Sequence, residues 1–179
     1  DIIVNAANGI GVMGGGVAGA ISRAAGMAVQ DEAKDVCKKS EKEIDEGDCY
    51  ATGPGNLAKH GVKAIYHAVT MKYPGGPTSI HSACEAMKSV IARAINMKME
   101  SIAIPGLGTG IGRLDPIAVA KAMLDVAESY ADRIDIWFVD QSEVFVSEIR
   151  DGLKRKGIYN DSIECANSGT EQGMGGSPG

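Results

Sequence analysis

Two glycine clusters carry the clearest chemical meaning in this chain. One holds Gly14, Gly15, Gly16 and Gly19, and the other runs from Gly106 through Gly108, Gly110 and Gly112. Each follows a short apolar run and precedes an amphipathic one, so each reads as a strand, a loop and a helix start. Glycine lets peptide N–H groups approach a phosphate with no Cβ in the way, and a helix N-terminus adds partial positive charge. In a parallel sheet, ligands bind beyond the carboxyl ends of the strands, so both loops are expected to face one crevice. Two facing loops suit a diphosphate. A single cluster would be equally well explained as a tight turn; two at equivalent positions point to a ligand. Asn8, ahead of the first cluster, has an amide that both donates and accepts hydrogen bonds. The competing role for Asn8 is to tie its own loop through the side chain. Asn5, at the end of the buried run, fits that second role better.

Other motifs carry less. Gly14, Gly16 and Gly19 also satisfy G-x-G-x-x-G, which raises an NAD-dependent oxidoreductase as a distant alternative. That fingerprint should begin where the first strand ends, and here nine residues from Asn5 to Met13 intervene. Neither cluster is followed by Gly-Lys-Ser/Thr, which argues against a Walker A nucleotide hydrolase. Cys37, Cys49, Cys84 and Cys165 form no C-x-x-C pair, so reduced thiols are expected rather than a disulfide framework or a zinc site. His67 lies inside an apolar run and reads as a packed core histidine. His60 and His81 have no metal-ligand spacing, and neither metal nor cofactor is expected. Met87, Met97 and Met123 fall on helix faces as core filler. Lys38-Lys39 and Lys154-Arg155-Lys156 read as solvated helix ends favoured by the macrodipole.

The elements that must position these loops alternate. Ile2 to Val4 is a β-branched run typical of a strand buried on both faces. One long helix is expected over residues 17–39, then strands over Cys49–Thr52 and Val62–Val69, separated by the turn-rich Gly53-Pro54-Gly55-Asn56. Tyr73 to Pro77 is a loop. Ile80, Cys84, Met87, Ile91 and Ile95 recur at helical spacing. Ser101 to Pro105 is a strand entering the second cluster. Asp115-Pro116 opens another helix, with Asp as N-cap and Pro at the first helical position. Ile134 to Val139 is the last strand, and Asp140 with Glu143 offers a capping box for a final helix that stops at Gly157. Strands alternating with helices imply an α/β fold with a mainly parallel sheet. Residues 160–179 are rich in Gly and Ser and are expected to form a flexible tail.

Composition narrows the class. With 179 residues, 44% hydrophobic and 23% charged, the chain suits one globular domain. Aromatics are only 4%, so the core must be built from aliphatic residues and Met. A net charge of -5 argues against a non-specific grip on nucleic acid, which depends on cations neutralising phosphates. No apolar run is long enough to span a bilayer and no secretory leader is visible, so a cytoplasmic protein without a membrane partner is expected.

Two stretches resemble a known family. Ile3-Val4-Asn5-Ala6-Ala7-Asn8, continuing to Gly14-Gly15-Gly16-Val17-Ala18-Gly19-Ala20-Ile21 and Ala24-Ala25-Gly26, is similar to the first signature of macro domains. Ser101 to Pro105, followed by Gly108-Thr109-Gly110-Ile111-Gly112, is similar to the second. The resemblance covers residues 1–157, leaving 158–179 as the tail. It implies a three-layer α/β/α fold with a mixed, mainly parallel central sheet that binds ADP-ribose or its derivatives. Some members only read ADP-ribosylation; others hydrolyse ADP-ribosylated protein, ADP-ribose-1″-phosphate or O-acetyl-ADP-ribose.

Carried over by position, Asn8 bonds the distal ribose, Gly14 to Ile21 line the diphosphate and that ribose, and Gly108 to Gly112 close over the phosphates. The family's N-terminal strand, with an Asp for the adenine amino group, precedes Asp1. Gly112 and Arg113 stand where many members have an aromatic and then Gly. Ala18 stands where one hydrolase branch has a catalytic Asp. The expected activity is therefore ADP-ribose binding with slow hydrolysis of an ADP-ribosyl linkage. Asn8 would position the water and a ligand phosphate would take its proton, with Asp115 as the only candidate protein base. The alternative is a reader of ADP-ribosylated protein without turnover.

Overall fold

The computed structural model describes residues 1–158. Five strands form one sheet in the order β2-β3-β1-β4-β5, where β1 is Ile2–Asn8, β2 Cys49–Thr52, β3 Ala64–Met71, β4 Ser101–Ile104 and β5 Asp135–Phe138. All neighbours are parallel except β2, which runs antiparallel to β3. Five α-helices cover the sheet: α1 Gly16–Ala25, α2 Met27–Lys39, α3 Ile80–Asn96, α4 Pro116–Glu128 and α5 Glu143–Arg155. The fold is the expected α/β/α arrangement with a mixed, mainly parallel sheet. The tail expected over 160–179 lies outside the described residues.

Each face has its own core. Ile21, Ala25, Val29 and Ala33 of α1 and α2 pack with Ala7, Tyr50, Ile65 and Val69 on one face. Residues of α3, α4 and α5, among them Met87, Ile91, Met123 and Phe145, pack with Val4, Ile102 and Ile104 on the other. Ile65, Ile102 and Ile104 are fully buried, each contributing roughly 1.5–3 kcal/mol of burial free energy. The β-branched strands thus do what a sheet covered on both sides requires.

Several boundaries differ from the sequence reading. β1 continues past Val4 to Asn8, because Asn5 to Ala7 keep register with His67 to Val69 and Asn8 then pairs with Met71 after a shift. The single helix expected over 17–39 is two, broken at Gly26, where φ is 97° and ψ 152°. Ala25 carbonyl and Val29 hold Gly55 in that break, and Gly55 starts a 3-10 helix (Gly55–His60) where a simple turn was expected. The strand expected over Val62–Val69 is shifted to Ala64–Met71, since Val62 closes the 3-10 segment by bonding Leu57. The buried face of α3 centres on Ala83, Ala86, Met87, Val90 and Ile91, with Ile80, Cys84 and Ile95 flanking it.

The capping box expected from Asp140 and Glu143 does not form. Ser142 is the N-cap of α5, its Oγ accepting from Phe145 N at 3.3 Å. Asp140 instead accepts from Ser142 N at 2.8 Å and from Gly106 N at 2.9 Å. Asp115 does cap α4, and Gly157, at φ 68°, ends α5 as expected. Among the described residues no helix is long and apolar enough to cross a membrane.

Gly55 offers a direct check on the α1–α2 break. A Cβ there would sit 2.2 Å from the Ala25 carbonyl, at φ 54°. Gly55→Ala therefore combines left-handed strain with overpacking, and should lower unfolding free energy by about 2–4 kcal/mol in urea titrations. A loss under about 0.5 kcal/mol would show that the two segments do not interlock.

Candidate functional site

β1 and β4 are adjacent parallel strands, yet their chains leave the sheet in opposite directions. β1 leads to α1 on one face and β4 leads to α4 on the other. Such a divergence opens a crevice at the carboxyl ends of the strands. Both glycine loops start at that crevice, as the sequence spacing anticipated.

In the first loop the glycines divide the work. Gly11, at φ 75°, packs on the Ala33 backbone, where a Cβ would lie 2.6 Å from it. Gly14, Gly15 and Gly16 have nothing within 4 Å of a Cβ position and are exposed. Gly15 is the N-cap of α1 and no side chain caps that terminus. The first-turn N–H groups of α1 are therefore free for an anion, with the helix dipole behind them. Val17 is exposed and Ala18 half-buried. Gly19 and Ile21 turn into the core, while Ala20 is exposed on the helix.

The second loop is held from below. Asp140 accepts from Gly106 N, and Thr109 Oγ1 donates to the Gly106 carbonyl at 2.9 Å. Leu114 N bonds the Gly108 carbonyl at 3.0 Å, and Arg113 N bonds that of Gly110 at 3.1 Å. Gly112 must lack a side chain, because a Cβ would lie 2.5 Å from Thr78 Cγ2. Gly110 is open, and Ile111 is exposed beside it. Arg113 is exposed at φ 53°, a left-handed conformation unusual for a residue with a Cβ.

Asn8 sits at the end of β1 and is nearly buried. Its Oδ1 accepts from Ile10 N and Val12 N, both at 3.2 Å, and its Nδ2 donates to the Val12 carbonyl at 2.9 Å. The side chain thus ties its own loop, leaving one amide hydrogen uncommitted. The strand pairing shifts between Ala7 and Asn8, so Thr70 is passed over and Asn8 lies opposite Met71. Tyr50 Oη donates to the Asn8 carbonyl at 3.2 Å. Burial raises the Tyr50 phenol pKa, which keeps that donor protonated.

His67 is a core residue, as its apolar setting suggested. Its ring stacks on Tyr50 at 4.5 Å, Asn5 Nδ2 donates to Nδ1, and Nε2 bonds Thr52 Oγ1 at 3.0 Å. Burial lowers its pKa to about 3, so it stays neutral and unavailable as a catalyst. Asp115, the candidate base, spends both carboxylate oxygens on Ile117 N and Ala118 N of α4.

Sequence reasoning missed Asp140 and Tyr50 as supports of the two loops. An acid directly after the last strand was the available signal for Asp140, but it was absorbed into a helix cap. Tyr50 had none, because its partner lies 42 residues away. The oxidoreductase alternative loses its frame: the strand following α2 is β2, an antiparallel edge strand not adjacent to β1, so the βαβ unit of a dinucleotide fold is absent.

With this geometry in place, comparison with known proteins assigns the family. The Macro domain family model matches residues 4–123, and the chain belongs to that family. It is similar to an uncharacterized protein of Aeropyrum pernix, 32% identical over 68% of this chain and 60% of that one. The chain thus spans three fifths of that relative's length. It is also similar to a Salmonella gallinarum protein named O-acetyl-ADP-ribose deacetylase, 34% identical over 80% of each chain. A mutant Oceanobacillus iheyensis macrodomain, solved with ADPR, has the same fold: TM-score 0.75, 24% identity, covering 87% of this chain and 85% of that one.

The buried histidine sets a pH test. The unfolded chain takes up a proton on His67 below pH 6.5, whereas the folded protein does so only near pH 3. Its contribution is therefore complete above pH 6.5 and drains away as pH falls toward 3, at about 1.4 kcal/mol per pH unit. His67→Gln should unfold with a shallower pH dependence than wild type across that window, measured by urea titration. Equal slopes would mean that His67 titrates normally in the folded protein.

Proposed function

We propose that the chain binds ADP-ribose, free or attached to a protein, and turns over an ADP-ribosyl linkage slowly. The observation that carries this is the crevice between β1 and β4, with an uncapped helix N-terminus on one side and the open Gly110 loop on the other. Backbone N–H groups supply its positive potential, which suits a diphosphate in a protein of net charge -5. Gly14 to Ala18 would hold the diphosphate, and Gly108 to Gly112 would close over it. Asn8, with its remaining amide hydrogen, would bond the distal ribose. The naming of the Salmonella relative supports an ADP-ribosyl ester as one candidate substrate; ADP-ribosylated protein and ADP-ribose-1″-phosphate are the others.

Hydrolysis needs a water near the anomeric carbon or the ester, and an acceptor for its proton. Ala18 offers no acceptor, and Asp115 is engaged at α4. Positioning by the loop around Asn8, with a ligand phosphate oxygen accepting the proton, is the remaining route and accounts for slow turnover. The engagement of Asp115 equally favours the second reading, a reader module that binds and does not turn over.

Calorimetry should give tighter binding of ADP-ribose than of AMP or NAD, since AMP lacks the second phosphate and distal ribose and NAD adds nicotinamide where that ribose is enclosed. Equal affinity for all three would sink the diphosphate-plus-ribose site. Gly110→Val, placed where space is open, should weaken ADP-ribose binding at least about tenfold, or roughly 1.4 kcal/mol, with the fold retained. Unchanged affinity would return that loop to a purely structural role.

Turnover is tested separately on the three substrates. Asn8→Ala should cut turnover more than it weakens binding, Asp115→Asn should leave turnover nearly unchanged, and Ala18→Asp should raise it. Abolished activity with retained binding in Asp115→Asn would establish a protein carboxylate as base. Absence of turnover in the wild type on every substrate would establish the reader.

A further inference from the structure

A second concave surface lies away from the glycine crevice. A groove of about 910 Å3 runs along β2, bounded by α2, the 40–44 segment and Arg93 of α3. β2 is the edge strand of the sheet, paired only with β3. The Asp48 carbonyl accepts from Val69 N at 2.9 Å, so the hydrogen-bonded pairs of the antiparallel ladder that follows are Tyr50/His67 and Thr52/Ile65. Cys49 and Ala51 therefore turn their N–H and C=O groups outward, into the groove. The next outward N–H, that of Gly53, is already capped by the Glu32 carboxylate at 3.1 and 3.2 Å. An edge with free backbone donors and acceptors is a template for another extended chain.

Charge says what that chain should carry. Five carboxylates line the groove against three cations. Asp31 has no ionic or hydrogen-bond partner among the described residues, and Asp35 meets only Lys39, at 3.9 Å and exposed. These acids lie on α2, on the sheet face toward which Tyr50 points. Arg93 lies on the opposite face, its guanidinium 5.4 Å from the Tyr66 ring centroid. Side chains of an added strand alternate between these faces, so one set meets carboxylates.

We infer that the β2 edge is a docking site for an extended polypeptide segment with Lys or Arg at alternate positions, bound as a sixth strand. The chain's own residues 159–179 do not fit that description, since they contain Asp161, Glu164 and Glu171 and no Lys or Arg. A second copy offers no cation from β2, whose sequence is Cys-Tyr-Ala-Thr. The inference is independent of the nucleotide reading, and its test uses no ADP-ribose.

The probe is a blocked decapeptide of alternating Thr and Lys, titrated into the full chain while amide hydrogen exchange is followed residue by residue. A Thr-Glu decapeptide serves as the control. Saturating Thr-Lys peptide should slow exchange at Cys49 and Ala51 at least tenfold, while the Thr-Glu peptide leaves both unchanged. Ala51→Pro removes an outward N–H without touching the ladder to β3 and should abolish the protection at Cys49. Should Ala51→Pro unfold, the Asp31→Lys/Asp35→Lys variant keeps the backbone and should weaken peptide binding at least tenfold. The proposal is overturned by absence of protection at Cys49 and Ala51, by equal protection from both peptides, or by unchanged affinity in the charge-reversed variant. Protection that appears without peptide and grows with protein concentration would assign the edge to a second copy instead.

Discussion

The structure depends on β1 being fixed at its carboxyl end, where the sheet meets the crevice. That strand pairs with β3 from Ile2 to Asn8 and with β4 at Ile2 and Ile3, and it is covered on both faces. A buried polar cluster sets its position against β3 and β2. Asn5 donates to His67 Nδ1, which leaves the imidazole proton on Nε2 for Thr52, and Tyr50 stacks on the ring while its hydroxyl holds the Asn8 carbonyl. Three strands are thereby pinned by side chains from one plane. Among the described residues Asn5 Oδ1 finds no partner while fully buried, a cost on the order of 1–3 kcal/mol that the rest of the cluster offsets.

From that fixed point the two loops acquire different mechanical characters. The first is tied by a side chain from within, through Asn8, and ends at a helix terminus with no side-chain cap. The second is tied from outside by Asp140, on the chain leaving β5, and by the close seat of Gly112 on Thr78. Within these two loops, glycines with no neighbour at the Cβ position are Gly14 to Gly16 and Gly110. The glycines that look alike in sequence therefore differ: some permit close packing of protein on protein, and others leave their backbone uncovered.

The electrostatics follow the same division. The one protein base that the sequence alone offers near the second loop, Asp115, is occupied at a helix terminus, and His67 is a buried neutral core residue. What the two loops present is backbone hydrogen-bond donors with little proton-transfer capacity.

The sequence by itself determined the alternation of strands and helices, the two loops, the caps at Asp115 and Gly157, and the core role of His67. Each of these is a local signal, carried by hydrophobic period, turn residues or capping chemistry within a few positions. Family membership was also legible, because Ile3 to Gly26 and Ser101 to Gly112 keep their order and spacing. Tertiary structure decided what depends on residues far apart in the chain. At the break at Gly26, Gly55 seats against the Ala25 carbonyl, a contact that no helical pattern records. Asp140 abandoned a local capping box for Gly106, 34 residues away, because the end of β5 lies beside the start of the second loop. Asn8 had two open roles in sequence; its side chain ties the loop because Val12 and Ile10 curl back within its reach, and one amide hydrogen is left over. Periodicity tells which face of an element is apolar; only packing tells which neighbour that face meets, and it is the neighbour that positions a site.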